Sequence, residues 1–254
     1  MTEYMLKSNI REEIGMLDRI NPELHAAWNA YHDSVFDDGA LSRKTKMLIG
    51  VAGAHITRCP YCIRAKVTGA KKAGATEAEI VEAVYVGMRF AMGAPFAYSS
   101  IAFETYDALE KGENITEGHF FSKNIAKEIG QFREASGRLT ETFMAFHKKV
   151  FEDGALSKKL KRAVIGLAAA HMTRCPWCIR GCVKDAVEFG VSRQEVAEAI
   201  NVAMVMAAGA CYAHTGVSME TLHRLGHHSA PTAAPPTGSA SSSSEDASDL
   251  ECGC

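Results

Sequence analysis

Eight cysteines fall at positions 59, 62, 175, 178, 182, 211, 252 and 254, and four of them form the pairs Cys59-Pro-Tyr-Cys62 and Cys175-Pro-Trp-Cys178. In a chain with no secretory signature, cysteines at CxxC spacing point to redox or metal chemistry before structural cross-links. A proline after the first cysteine suits the first helical position, where its missing N–H is not needed. It also disfavours helical geometry for the cysteine before it. Cys59 and Cys175 are therefore expected at helix N-termini, with Cys62 and Cys178 one turn inside. The unpaired N–H groups and the helix dipole favour a thiolate there. Arg58 and Arg64 in the first motif, and Arg174 and Arg180 in the second, add positive charge. Lys66, four residues after Cys62, shares its helix face.

Other side chains extend this chemistry. His55 and His171 each stand four residues before their first cysteine, where an imidazole can exchange a proton with a thiol or simply cap the preceding helix. A zinc site needs four ligands closing a tetrahedron. His171, Cys175, Cys178 and Cys182 offer such a set, but the first motif has Lys66 where the second has Cys182. Cys211 lies in the apolar run from Val202 to Ala213, where desolvation should keep its thiol neutral. The CxxC cysteines are therefore expected to react before Cys182 and Cys211. Cys252 and Cys254, almost at the C-terminus, form a further candidate dithiol that exchanges with one of the pairs.

The elements that must position these groups follow from an internal repeat. Val35-Phe-Asp-Asp-Gly-Ala-Leu-Ser42 returns as Val150-Phe-Glu-Asp-Gly-Ala-Leu-Ser157, an offset of 115. His55-Ile-Thr-Arg-Cys-Pro-Tyr-Cys-Ile-Arg64 returns as His171-Met-Thr-Arg-Cys-Pro-Trp-Cys-Ile-Arg180, an offset of 116. One residue has been gained between the two blocks. The punctuation is helical: Ser42 and Ser157 are placed as caps, and Gly74 and Gly190 suit left-handed helix ends. Thr76-x-x-Glu79 and Ser192-x-x-Glu195 are capping boxes. The expectation is an all-α chain of about five helices per repeat, packed about a pseudo-two-fold axis. The Ala-, Gly- and Met-rich helices around Gly87–Gly93 and Ala203–Ala210 are expected at the buried centre of each unit, with a cofactor groove as the alternative. The units span 1–115 and 116–228.

From Ser229 to Cys254 the composition turns to Ser, Ala, Pro, Thr and acid, which favours disorder. At 47% apolar and 23% charged residues, the chain before it can bury a core. The formal charge of −2 gives no basic balance for nucleic acid. No uninterrupted apolar run reaches membrane-spanning length, and the N-terminal residues resemble neither a secretory signal nor a transit peptide. A cytoplasmic protein that binds no membrane is expected.

A helix ending in Ala-x-x-His, followed by x-x-x-Cys-Pro-aromatic-Cys and then Ala/Gly-rich helices, resembles the alkyl hydroperoxidase D-like, carboxymuconolactone decarboxylase superfamily. The resemblance covers roughly residues 20–110 and 133–225. It implies an all-α fold, assembly into trimers or hexamers of single units, and peroxidase or disulfide-reductase activity in members that carry CxxC. It also implies that Cys62 and Cys178 attack the peroxide, while Cys59 and Cys175 resolve the product as a disulfide. The family pattern has histidine where this chain has Lys66 and Cys182, and glutamate where it has Met47 and Ala163.

The function expected is a CxxC-dependent thiol–disulfide oxidoreductase that includes peroxide reduction and is recharged by an external dithiol or disulfide reductant. Its substrates would be small peroxides or disulfides, and it would need neither a cofactor nor a metal. Homo-oligomers, such as a trimer of tandem repeats, are expected. The alternative is a thiolate protein that binds and transfers soft metals or metalloids such as mercury, arsenite or copper.

Overall fold

The computed structural model describes residues 10–113, 122 and 124–225. The tail, with Cys252 and Cys254, lies outside the described residues. Those described fold into ten helices and no strand. The first repeat holds α1 (Arg11–Ile20), α2 (Pro22–Phe36), α3 (Arg43–Ile56), α4 (Pro60–Lys72) and α5 (Glu77–Glu110). The second holds α6 (Ala126–Ser136), α7 (Arg138–Val150), α8, α9 (Pro176–Glu188) and α10 (Arg193–Arg224). α8 opens as a π-helix over Leu160–Ile165 and continues as an α-helix over Gly166–Met172.

Local chemistry sets the helix ends. The Ser42 hydroxyl accepts from Thr45 N, and that of Ser157 from Leu160 N, each at 3.2 Å. Both capping boxes close reciprocally, Thr76 with Glu79 and Ser192 with Glu195. Gly74 and Gly190 take positive φ, 83° and 65°, as left-handed ends require. Gly39 and Gly154 do not. They are needed because a Cβ at either would collide with a glutamate of the other repeat, Glu198 or Glu82.

The π-helix absorbs the residue gained between the repeats. Lys46 and Lys161 are equivalent, since each ammonium binds the backbone carbonyl nine residues before it. The glycines Gly50 and Gly166 already stand at the longer offset. The extra residue therefore lies between Lys161 and Gly166, within the π segment, whose wider turn holds it.

The repeats exchange parts. Within each, the long last helix packs on the third, α5 on α3 and α10 on α8. The opening helices pack across: α1 and α2 lie on α10, and α6 and α7 lie on α5. Reciprocal ion pairs mark the same symmetry. Glu198 accepts from the N–H groups of Ala40 and Leu41, both at 2.8 Å, and from Lys46 at 3.1 Å. Glu82 accepts from Ala155 N at 2.9 Å, Leu156 N at 2.8 Å and Lys161 at 2.8 Å. This is the isologous pattern of a two-fold, in which residue i meets j and j meets i.

One face of α5 enters the core, where a Cβ at Gly87 would lie 2.9 Å from the Ala52 carbonyl. Core packing, expected for the small residues, accounts for that face. On α10 the pattern divides: Val202 and Val205 are buried, while Met204 and Cys211 are exposed. This corrects the expectation for Cys211, because the apolar run coils around a helix and only part of it meets the core. α5 and α10 also correct the reading from apolar run length. Both are long and apolar enough by composition to cross a membrane, although Gly, Ser and isolated charges interrupt the runs. In the fold these two helices are the shared spine on which both repeats pack.

Candidate functional site

Each CxxC motif lies where two helices meet in a very tight turn. Arg58 donates its N–H to the His55 carbonyl, and Cys59 donates to Ala54, so α3 ends in a Schellman motif. The left-handed residue in that motif is Arg58, at φ 56°, and its counterpart Arg174 stands at φ 53°. A side chain there costs about 1 kcal/mol or more over glycine. The next residue is already the N-cap of α4. The sulfur of Cys59 accepts from Cys62 N at 3.2 Å, and that of Cys175 from Cys178 N at the same distance. Both first cysteines are fully buried.

The two motifs differ in how their sulfurs are paired. Cys175 and Cys178 are disulfide-bonded, with Cα atoms 5.2 Å apart. Cys59 and Cys62 are free thiols.

Cys62 opens onto a cavity of about 230 Å³ built by both repeats. α2 supplies Trp28 and His32, α4 supplies Tyr61, Cys62 and Lys66, and α10 of the other repeat supplies Met206 and Tyr212. Gly50 leaves room for the Lys66 stem, since a Cβ there would sit 3.1 Å from it. The ammonium lies 3.5 Å above the centre of the Phe36 ring and 3.2 Å from His32 Nε2. His32 Nδ1 is 2.9 Å from Asp33. The Lys66 ammonium and the Asp33 carboxylate together select the tautomer that donates from Nδ1 and accepts at Nε2.

Burial dominates the electrostatics. It pushes the Cys62 thiol up to about 12, reinforced by Cys59 and opposed by Lys66. The sequence expectation of a thiolate favoured by the helix N-terminus is corrected here, because desolvation outweighs the dipole. Lys66 is driven down to about 8, again by burial first, with Arg43 pushing the same way. His32 is lowered by burial, against the hydrogen bond it donates to Asp33.

The second cavity, about 140 Å³, has another character. Cys178 and Cys182 from α9 face it, with His147 from α7, Arg162 from the π segment and Arg89 from α5 of the first repeat. Arg162 binds Asp185 through two parallel hydrogen bonds of 2.8 and 2.9 Å. Arg89 Nε donates to His147 Nδ1 at 2.5 Å. Burial and the two arginines hold His147 down at about 4, so it is a neutral imidazole. Burial and Asp185 push the Cys182 thiol up to about 12.

The comparisons agree with this duplicated architecture. The model of the carboxymuconolactone decarboxylase family matches residues 22–105 and 137–215, more than half of the chain. The chain belongs to that family. A relative, "Uncharacterized protein 4 in cox locus" from Paracoccus denitrificans, is 42% identical over 97 residues, 38% of this chain and 86% of that protein. No solved structure matches the chain significantly.

Of the residues marked in the sequence, all four CxxC cysteines and Lys66 sit as their spacing implied. His55 and His171 line neither cavity. Each donates from Nδ1 to the carbonyl four residues earlier, Val51 and Leu167, at 2.8 Å, which leaves Nε2 as an acceptor. Among the described residues, no three of His, Cys, Asp or Glu are grouped to hold a metal, so the tetrad of the second repeat is not assembled. Met47 and Ala163, where the family pattern has glutamate, are buried. Sequence reasoning missed His32, His147, Arg89 and Arg162. The signals were present: His32 and His147 share the 115-residue offset, and the change of offset falls in the short stretch that holds Arg162.

Proposed function

We propose that the protein is a thiol–disulfide oxidoreductase that reduces small peroxides or disulfides at its CxxC pairs. The observation that carries this reading is the shared N-cap geometry. One backbone arrangement holds a dithiol in the first repeat and a disulfide in the second, so the turn accommodates both ends of a redox cycle.

In the first repeat Cys62, which lines the cavity, is the attacking sulfur, and the fully buried Cys59 is the resolving one. Lys66 takes the thiol proton, held in place by His32 and Asp33. The Cys62 thiolate attacks the peroxide, forming a sulfenic acid and an alkoxide that leaves with the proton from Lys66. Cys59 then attacks the Cys62 sulfur, water departs, and the Cys59–Cys62 disulfide forms. An external dithiol reduces this disulfide through a mixed disulfide and leaves oxidised. In this scheme Lys66 and His32 take the place of the family's absent histidine and glutamate. Self-association through the exposed faces of α5 and α10 belongs to the same reading.

Peptide mass spectrometry of the reduced chain, before and after one equivalent of hydroperoxide, tests the scheme. It should show loss of two hydrogens across Cys59 and Cys62, and the variant Cys59→Ser should stop at a sulfenic acid on Cys62. An unaltered Cys62 would remove the reading.

A further inference from the structure

The two cavities are equivalent by position and opposite in chemistry. Where the first has Val205 from the partner repeat's long helix, the second has Arg89 at the equivalent place. The second also carries Arg162, from the π segment, with its partner Asp185. The second cavity thus places two guanidinium groups beside Phe90 and Phe151.

Several features hold the arginines in place. A Cβ at Gly93 would overlap the Arg89 guanidinium, so that glycine is what lets the side chain lie along α5. The group is also stacked 5.1 Å from the Phe143 ring centre. Its hydrogen bond goes to His147, a neutral acceptor, and among the described residues Arg89 forms no ion pair. Arg162 is already paired with Asp185, so Arg89 is the cation whose charge the cavity leaves uncompensated. A third cavity, of about 390 Å³, shares His147, Phe151 and Arg162 with the second and adds Lys148 and Lys158, together with Glu152 and Asp153. Glu152 is paired with Lys149, and Asp153 accepts from the Lys158 N–H. The mouth therefore carries both signs, and the excess positive charge lies deeper, with Arg89 beside the paired Arg162 and Asp185.

Only one sulfur of that disulfide is within reach. Cys175 is fully buried, whereas Cys178 is half-buried and faces the cavity.

We infer that the second repeat is a docking site for a small thiol that carries a carboxylate, which attacks Cys178 while Arg89 holds its anionic end. The step rests on the oxidoreductase reading above. The incoming thiolate forms a bond to the Cys178 sulfur, and the Cys175–Cys178 bond breaks with its electron pair on Cys175, which takes up a proton. A second thiol attacks the mixed disulfide at the small-molecule sulfur. It releases the oxidised small disulfide and leaves both cysteines reduced.

Three probes of similar size separate charge from reactivity: mercaptoacetate, 2-mercaptoethanol and cysteamine. The readout is the rate at which the full-length chain loses the Cys175–Cys178 disulfide, followed by acid quenching, alkylation and peptide mass spectrometry. Dividing each variant's rate by the wild-type rate with the same probe cancels the thiols' intrinsic reactivities. Arg89→Leu should slow mercaptoacetate about tenfold relative to cysteamine, the lower end of electrostatic focusing in a charged cleft. Arg89→Lys should retain most of the preference. In the unmodified protein, added salt should slow mercaptoacetate and not cysteamine, a measurement that needs no variant to fold. The mixed disulfide should be trapped on Cys178. Equal effects on all three thiols, or adducts on Cys175, overturn the inference and leave the oxidoreductase reading intact. A disulfide that none of the thiols reduces overturns both.

Discussion

At the scale of single residues, the cost of burial is plainest at Lys66. An ammonium that titrates at about 8 in the fold, against an ordinary lysine value near 10.4, means the folded chain binds fewer protons than the unfolded one between those pH values. Stability therefore rises with pH across that window. Lys66→Met should stabilise the protein by about 1–3 kcal/mol at pH 7, with the gain shrinking towards pH 10, as read by urea unfolding. The same variant should change thiol reactivity. Alkylation of Cys62 should climb through about pH 8 in the wild type, where Lys66 becomes a base, and in the variant should climb only at higher pH, because the ammonium that lowers the thiol is gone. Cys211 is exposed, whereas Cys59 and Cys182 are buried, so among the cysteines of the described residues brief maleimide labelling of the native chain should mark Cys211 first and those two last. This order reverses the one that the sequence suggests. Composition along a run cannot tell which side of a helix meets the core, and the pull of a helix terminus can be seen in sequence while the depth of burial cannot.

At the scale of elements, much was legible because caps are local chemistry. Ser42, Thr76, Ser157 and Ser192 act where their spacing puts them, since a hydroxyl three residues ahead of an N–H needs no tertiary help. The Asp-Gly loops were legible only in part. Their glycines serve Glu82 and Glu198, which lie more than seventy residues away, and no local pattern announces a partner at that distance. Removing either carboxylate strands a buried ammonium and two backbone N–H groups. Glu198→Ala should cost about 2–3 kcal/mol at neutral pH, somewhat under the usual loss for a fully buried pair because Glu198 is partly exposed. Against burial, which would raise it, the Leu41 and Ala40 N–H groups and Lys46 hold the Glu198 carboxyl below its ordinary value. Its contribution is thus full above the unfolded carboxyl's range and is lost as pH falls through the depressed folded value. The gap between wild type and variant should accordingly narrow in acid unfolding experiments, and a gap that is constant down to pH 2 would contradict this account.

At the scale of the whole molecule, Met88 and Met204 occupy equivalent positions on α5 and α10 and are 44% and 53% exposed, with Val81, Tyr85 and Val217 also uncovered. Sedimentation should give a species heavier than the 27.4 kDa chain, and the double variant Met88→Glu, Met204→Glu should return it to one chain. The exchange of helices between repeats has a different consequence, one of inheritance. In a pair of identical single-repeat chains, a mutation in the long helix is written into both cavities at once, and any benefit to one is tied to harm in the other. In this chain α10 serves only the Cys62 cavity and α5 only the Cys178 cavity. Selection can therefore act on Val205 and Arg89 separately, although both descend from one ancestral position. The two cavities were free to become different tools once a single gene encoded both halves.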